Sequence, residues 1–225
     1  MPLLSVIVPV FNESKTIKEI LEKVSLINID KEIIVVDDGS SDGTDRLLKN
    51  ISYPNLKIIY HSSNRGKGAA FLTGLANAGG EYIIIQDADL EYDPNEYLKL
   101  MEEMLKGDAD LVLGARFTKG YHGLLIPRLG NRFLTGLINL LFGSNLNDFL
   151  TCYKLMRKTT IDSLNLKSNY FDIDTEIISK ALKNHLRIKQ IPISYNPRSY
   201  KEGKKIRWTD GAWAIIYILK YRFMG

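Results

Sequence analysis

The sequence predicts an α/β protein, a doubly wound sheet with helices on both faces, and three observations lead there. Short runs rich in Val and Ile alternate with stretches of helical period as far as residue 113. Two of those runs, IIVV at residues 33–36 and YIII at residues 82–85, are apolar at every position, as strands buried on both faces require. Acidic residues follow each run closely, and in an open α/β sheet ligands bind at the carboxyl ends of the strands.

In chain order, strands are expected at residues 4–10, 32–36, 56–60, 81–86, 111–113, 153–156 and 188–194. The segment 14–26 places Ile17, Ile20, Leu21 and Val24 on one helical face. A helix over 69–78 follows the loop that carries Gly66-Lys67-Gly68. Another opens at Asp93-Pro94-Asn95-Glu96, with Asp as N-cap, Pro at the first helical position and Glu three residues after the cap. Past Arg116 the alternation weakens, and the remainder reads as an elaboration of the same domain. A chain of 225 residues, 45% of them apolar, can bury a substantial core in one such domain.

Two apolar segments stand out in the second half. Within residues 124–143, Leu129, Phe133, Leu137, Leu140 and Leu141 fall near one helical face, while Arg128 and Arg132 share another at i, i+4. That pattern fits an interfacial helix with basic anchors and equally a helix packed on the core; periodicity alone favours the core. The closing stretch 208–223, with its aromatics, Lys220 and Arg222, has the same ambiguity. Neither offers the run of about 20 apolar residues that crosses a bilayer. The opening MPLLSVIVPV lacks a basic n-region and a cleavage site, and reads as a first strand. The single cysteine, Cys152, forms no internal disulfide and permits a reducing interior. A cytoplasmic protein is expected, with any membrane contact peripheral and on the cytoplasmic face.

The net charge of +4 hides an asymmetry. Residues 1–115 carry 11 Lys and Arg against 19 Asp and Glu; residues 116–225 carry 19 against 7. An acidic half suits metal binding, and a basic half suits phosphate or an anionic membrane surface. Two solvated surfaces of opposite sign explain the charge equally well. Nucleic acid is not an expected partner, because no binding module accompanies the basic residues. No His/Cys spacing suggests zinc, and no nucleophile elbow, Walker loop or GxGxxG is present.

Asp37-Asp38-Gly39-Ser40 follows the strand at 32–36; alone, it is better explained as a turn. Asp87-Ala88-Asp89-Leu90-Glu91 follows the strand at 81–86. Carboxylates at i, i+2 and i+4 leave an extended segment on one side and repel one another without a cation. Hard oxygen donors suit Mg²⁺ or Mn²⁺ bridging to a diphosphate, so Asp87, Asp89 and Glu91 are the candidate metal ligands. Lys67, between two glycines at a helix start, can approach a polyanion.

Together, Val8-Pro9-Val10-Phe11-Asn12-Glu13, Asp37 to Thr44, Gly66-Lys67-Gly68 and Asp87-Ala88-Asp89 resemble the family 2 glycosyltransferases. The resemblance implies a GT-A fold, a Rossmann-like mixed sheet, and a metal-dependent enzyme using a nucleotide-sugar. It places Pro9, Phe11, Glu13 and Asp38 in the nucleotide pocket, and Asp87, Ala88 and Asp89 around the donor diphosphate with Asp89 as principal metal ligand. Residues 1–115 become the donor half and 116–225 the acceptor half of one domain. The second half is similar more narrowly to the dolichol- and polyprenyl-phosphate sugar synthases. Its matching segments are Gly114-Ala115-Arg116, the run from Asp148 to Lys154, Phe171 to Glu176, and the loop from Arg198 to Ile206. That likeness implies that Arg116, Arg198, Lys204 and Lys205 contact donor phosphates and that Asp148 lies beside the acceptor; the i, i+4 pair on the helical pattern of 124–143 adds Arg128 and Arg132 as candidate acceptor contacts. A polyprenyl phosphate acceptor would need no general base; a hydroxyl acceptor would make Asp148 the candidate base. A nonenzymatic nucleotide-sugar binder would not need both the acidic cluster and the phosphate-clamping residues.

Overall fold

A computed structural model describes residues 1–117, 125–198 and 208–224. Seven strands form one sheet in the order β3-β2-β1-β4-β6-β5-β7. They are β1 (Leu4–Val10), β2 (Lys31–Asp37), β3 (Leu56–Tyr60), β4 (Tyr82–Ile85), β5 (Leu111–Ala115), β6 (Lys154–Arg157) and β7 (Ile188–Pro192). β6 runs antiparallel to both its neighbours, and every other pairing is parallel. The sheet is therefore mixed, as the GT-A resemblance implies. The helices are α1 (Ile17–Leu26), α2 (Thr44–Leu48), α3 (Lys67–Ala76), α4 (Tyr97–Leu105), α5 (Leu125–Phe142), α6 (Lys158–Ser163), α7 (Ile173–Lys183) and α8 (Trp208–Phe223).

The apolar runs set this order. β4 is buried at all four positions and β1 at six of seven, so both belong at the centre. β3 is only half-buried and takes an edge. From β1 the chain winds outward through β2 to β3, then crosses back to place β4 on the other side of β1. The carboxyl ends of β1 and β4 therefore lie side by side at the switch point, where an open α/β sheet forms its ligand crevice.

The four apolar residues predicted for the first helix are all buried, but α1 begins at Ile17 and not at Ser14. Ser14 is outside because its amide is drawn to Asp42 Oδ2 at 3.0 Å. Asp93 caps a 3-10 turn over Pro94–Glu96 before α4, accepting the Asn95 amide at 3.0 Å. Glu96 does not reach back to complete the capping box; its carboxylate takes the amide and hydroxyl of Ser194 at 3.1 and 2.8 Å. On α5 the packed positions are Leu134 and Ile138, while Leu129, Phe133 and Leu140 are exposed. The core placement that periodicity favoured therefore fails for those three leucine and phenylalanine side chains. Arg132 is exposed beside them and Arg128 half-buried. α8 packs on α5 and α7 through Ile218 and Tyr221, and exposes Trp213, Ile216, Leu219 and Phe223. Among the described residues no helix is long and apolar enough to cross a membrane.

Candidate active site

The site is assembled at the crevice from strand ends. After β1, Phe11 is exposed, and Asn12 takes a left-handed φ of 53° that turns the chain toward Ser40, whose hydroxyl accepts its amide at 2.9 Å. The Glu13 amide donates to Thr44 Oγ1 at 3.0 Å, leaving its carboxylate to face inward. Pro9, the penultimate residue of β1, is half-buried beneath that loop.

Asp38 is buried, and its carboxylate is occupied by its own chain. It accepts the amides of Arg65 and Gly66 at 2.9 and 2.7 Å, and lies 2.7 Å from His61 Nδ1. His61 Nε2 in turn meets Thr73 Oγ1 at 2.9 Å. This histidine, ordinary in sequence, ties the end of β3 to α3 and to the turn after β2.

Gly66 and Gly68 have a packing reason that the motif does not show. A Cβ on Gly68 would stand 2.2 Å from the Ser168 carbonyl oxygen, and one on Gly66 2.3 Å from that of Asn169. The Asn169 carbonyl accepts the Ala69 amide at 2.9 Å. The glycines let the start of α3 press against residues 168–169, and that contact aims Lys67 sideways. Its ammonium lies 2.8 Å from Asp87 and 3.6 Å from Asp174. Burial pulls the Lys67 pKa down, but the two carboxylates outweigh it and hold the group well above the ordinary lysine value. Asp174 also pairs with Lys154 at 2.6 Å, and Lys154, fully buried, donates again to the Thr151 carbonyl. Asp87, Lys67, Asp174 and Lys154 thus alternate in sign through the interior, each charge offsetting the desolvation of the next.

The acidic turn after β4 is where charges accumulate. Leu90, between Asp89 and Glu91, has φ of +64°, an uncommon backbone state for a bulky side chain. Burial, with the Asp87 and Glu91 charges beside it, raises the Asp89 pKa from 3.8 to about 7, while Arg198 opposes the rise. The Arg198 guanidinium lies 2.8 Å from Asp89, 3.1 Å from Glu13 and 3.9 Å from Glu91. Glu91 also accepts the Tyr195 phenol at 2.6 Å and the Arg198 amide at 2.8 Å.

After β5, Arg116 forks onto Asp148 through Nε at 2.7 Å and Nη2 at 2.8 Å, and its amide reaches the same carboxylate at 3.2 Å. Asp148 has no solvent exposure. The guanidinium carbon stands 5.0 Å from the Phe117 ring and 5.1 Å from the Tyr195 ring. Antiparallel β6 explains the pairing: its entry lies at the same end of the sheet as the exits of β4 and β5, which brings residues 148–153 to the crevice.

The structure thus brings Glu13, Asp89, Glu91 and Arg198 together, Lys67 with Asp87, and Arg116 with Asp148. Tyr195 links the Arg116 pair to Glu91. Asp38 joins this set through Gly66, next to Lys67. Arg128 and Arg132 are on α5, half-buried and exposed respectively, and Lys204 and Lys205 fall outside the described residues. Among the described residues no three acidic, His or Cys side chains converge as a ready metal cage. The donor set still fits Mg²⁺ or Mn²⁺. Such ions take one or two carboxylates and complete their shell with substrate phosphate and water. The raised pKa of Asp89, from burial first and then from the Asp87 and Glu91 charges, marks a carboxylate whose ionised form a bound cation would stabilise.

The seven-stranded mixed sheet has the architecture of the GT-A fold. Glucosyl-3-phosphoglycerate synthase of Mycobacterium tuberculosis superimposes with a TM-score of 0.76 at 20% identity, covering 100% of this chain and 81% of that one. One structure of that enzyme contains Mn²⁺, uridine diphosphate and phosphoglyceric acid. The profile of glycosyl transferase family 2 matches residues 5–164, and the chain belongs to that family. A low-salt glycan biosynthesis hexosyltransferase of Haloferax volcanii is 30% identical over 208 residues, covering 88% of this chain and 48% of the relative. A dolichol-phosphate mannosyltransferase of Pyrococcus furiosus is 28% identical, covering 89% of this chain and 58% of the relative. The chain therefore spans about half the length of these two. It spans 90% of a UDP-N-acetylglucosamine–dolichyl-phosphate N-acetylglucosaminyltransferase of Methanococcus voltae, at 28% identity.

Proposed function

We propose that this chain is a metal-dependent, inverting hexosyltransferase that moves a hexose from a nucleotide-sugar of the GDP-mannose or UDP-glucose type to a polyprenyl or dolichyl phosphate. The observation that carries the reading is the acidic turn Asp87–Glu91 at the switch point, faced by Lys67, Arg198 and, through Tyr195, Arg116. A bound Mg²⁺ or Mn²⁺ supplies neutralisation of the departing diphosphate. Asp89, with Asp87 and Glu91, holds it; Phe11 offers a face to the base; Glu13 and Asp38 shape the nucleotide pocket. Arg198, with Lys204 and Lys205, and Arg116 bind phosphate oxygens as charge builds on the leaving group. An acceptor oxygen attacks the anomeric carbon from the opposite face as the bond to the diphosphate breaks.

The state of Asp148 supports an anionic acceptor. Buried and gripped on both oxygens by Arg116, it is poorly placed to take a proton from a hydroxyl, and a phosphate oxygen needs no such base. Asp148 then acts by holding Arg116. Arg128 and Arg132, next to exposed apolar side chains of α5, suit a lipid phosphate arriving from a membrane surface, and the names of two relatives point to the same acceptor class. This reading places the protein at the cytoplasmic face of a membrane.

Radiolabelled GDP-mannose and UDP-glucose, each offered with polyprenyl phosphate and Mn²⁺, test the proposal. Label is expected in the organic extract, and label that stays aqueous contradicts the lipid acceptor. Asp89→Ala is expected to lower kcat by roughly a thousandfold or more; substantial residual turnover would remove the assigned role.

A further inference from the structure

Gln86 follows β4 and directly precedes Asp87, with no solvent exposure. An amide in that apolar setting is tolerated only if its hydrogen-bonding groups are used. Oε1 accepts the phenol of Tyr97, at the start of α4, at 2.5 Å and that of Tyr153, beside β6, at 2.7 Å. Nε2 donates to the main-chain carbonyl of Asp87 at 2.8 Å. That carbonyl decides which way the amide points, since a flipped amide would set oxygen against oxygen. The two phenol rings pack with centroids 5.5 Å apart, and Tyr92 lies 4.8 Å from Tyr153, so the amide oxygen rests on a rigid aromatic bed.

What this amide holds is a turn under opposing pulls. Leu90 has a left-handed backbone, Lys67 draws Asp87 to one side, and Arg198 draws Asp89 to another. The Asp87 carbonyl is the turn's anchor to the buried aromatic cluster. We infer that Gln86 is a positioning residue for the acidic turn: by fixing the peptide between Asp87 and Ala88, it sets the directions in which Asp87 and Asp89 present their oxygens to a divalent cation. The inference rests on reading that turn as a metal site. A purely structural Gln86, present only to satisfy two buried phenols, makes the opposite forecast: replacing all three polar partners with apolar ones would leave the turn unaffected.

The test is direct Mn²⁺ binding, read by electron paramagnetic resonance with UDP or GDP present. It compares the wild type, Gln86→Leu, and the triple variant Gln86→Leu/Tyr97→Phe/Tyr153→Phe. The triple variant leaves no phenol orphaned, and it carries the test if Gln86→Leu alone is too unstable to purify. It is expected to melt near the wild-type temperature and to bind UDP or GDP without metal as the wild type does. Its Mn²⁺ affinity is expected to fall roughly tenfold, with a matching loss in kcat. Wild-type Mn²⁺ affinity in the folded triple variant overturns the inference. If the unmutated protein itself binds no Mn²⁺ with either nucleotide, the metal reading of the turn falls, and Gln86's role falls with it.

Discussion

Asp89 titrates near neutrality because burial and the charges of Asp87 and Glu91 raise its pKa from 3.8 to about 7. Between those two values the folded chain keeps a proton that the unfolded chain has released. Stability contributed by this group is therefore lost as pH rises from about 4 to about 7. Asp89→Asn removes that loss and is expected to raise Tm by a few degrees at pH 8, with little effect near pH 4. A divalent cation held by Asp89, as proposed, would compete with the same proton, so Mn²⁺ affinity should climb with pH up to about 7 and then level off; a flat calorimetric profile from pH 5.5 to 8.5 would contradict this. Arg116 and Asp148 behave as a unit. Arg116→Ala leaves a carboxylate buried and unpaired, and should cost about 3–5 kcal/mol in urea unfolding. Arg116→Met/Asp148→Leu should recover much of that stability and none of the turnover.

At the scale of elements, the strand runs were legible because their apolar patterns are local. The direction of β6 was not, because a four-residue run reads the same whichever way it is threaded. With that direction hidden, the Arg116–Asp148 fork could be placed in the site only through the family likeness. Lys154 did carry a signal: a lysine beside Leu155 and Met156 in a buried strand needs a carboxylate, and Asp174 supplies it. Glycines show the other limit. Gly66 and Gly68 read in sequence only as the flanks of a lysine able to approach a polyanion; that their Cβ positions are blocked by the backbone at residues 168–169 is something tertiary packing alone reveals. Gly68→Ala is expected to destabilise the fold by about 2 kcal/mol and to loosen Lys67 from Asp87. Chemical denaturation measures the first effect. Residual catalysis below that of a surface variant of equal stability would show the second.

Over the whole molecule, the exposed apolar side chains of α5 and α8 lie in the basic half of the chain. Co-sedimentation with anionic vesicles is expected, weakening as salt rises. Phe133→Ser/Trp213→Ser should reduce it severalfold without affecting soluble-nucleotide binding. A protein indifferent to vesicles at low salt would detach this face from the membrane. The threading of β6 has a further consequence. Among the described residues, β5 and β7 reach the rest of the sheet only through those four residues, and β4 has no other neighbour on that side. A chain severed at residue 116 would leave β4 with an open, apolar edge primed for self-association. The two halves are thus interlocked like clasped fingers, and neither can be exchanged with a relative as a ready-made module.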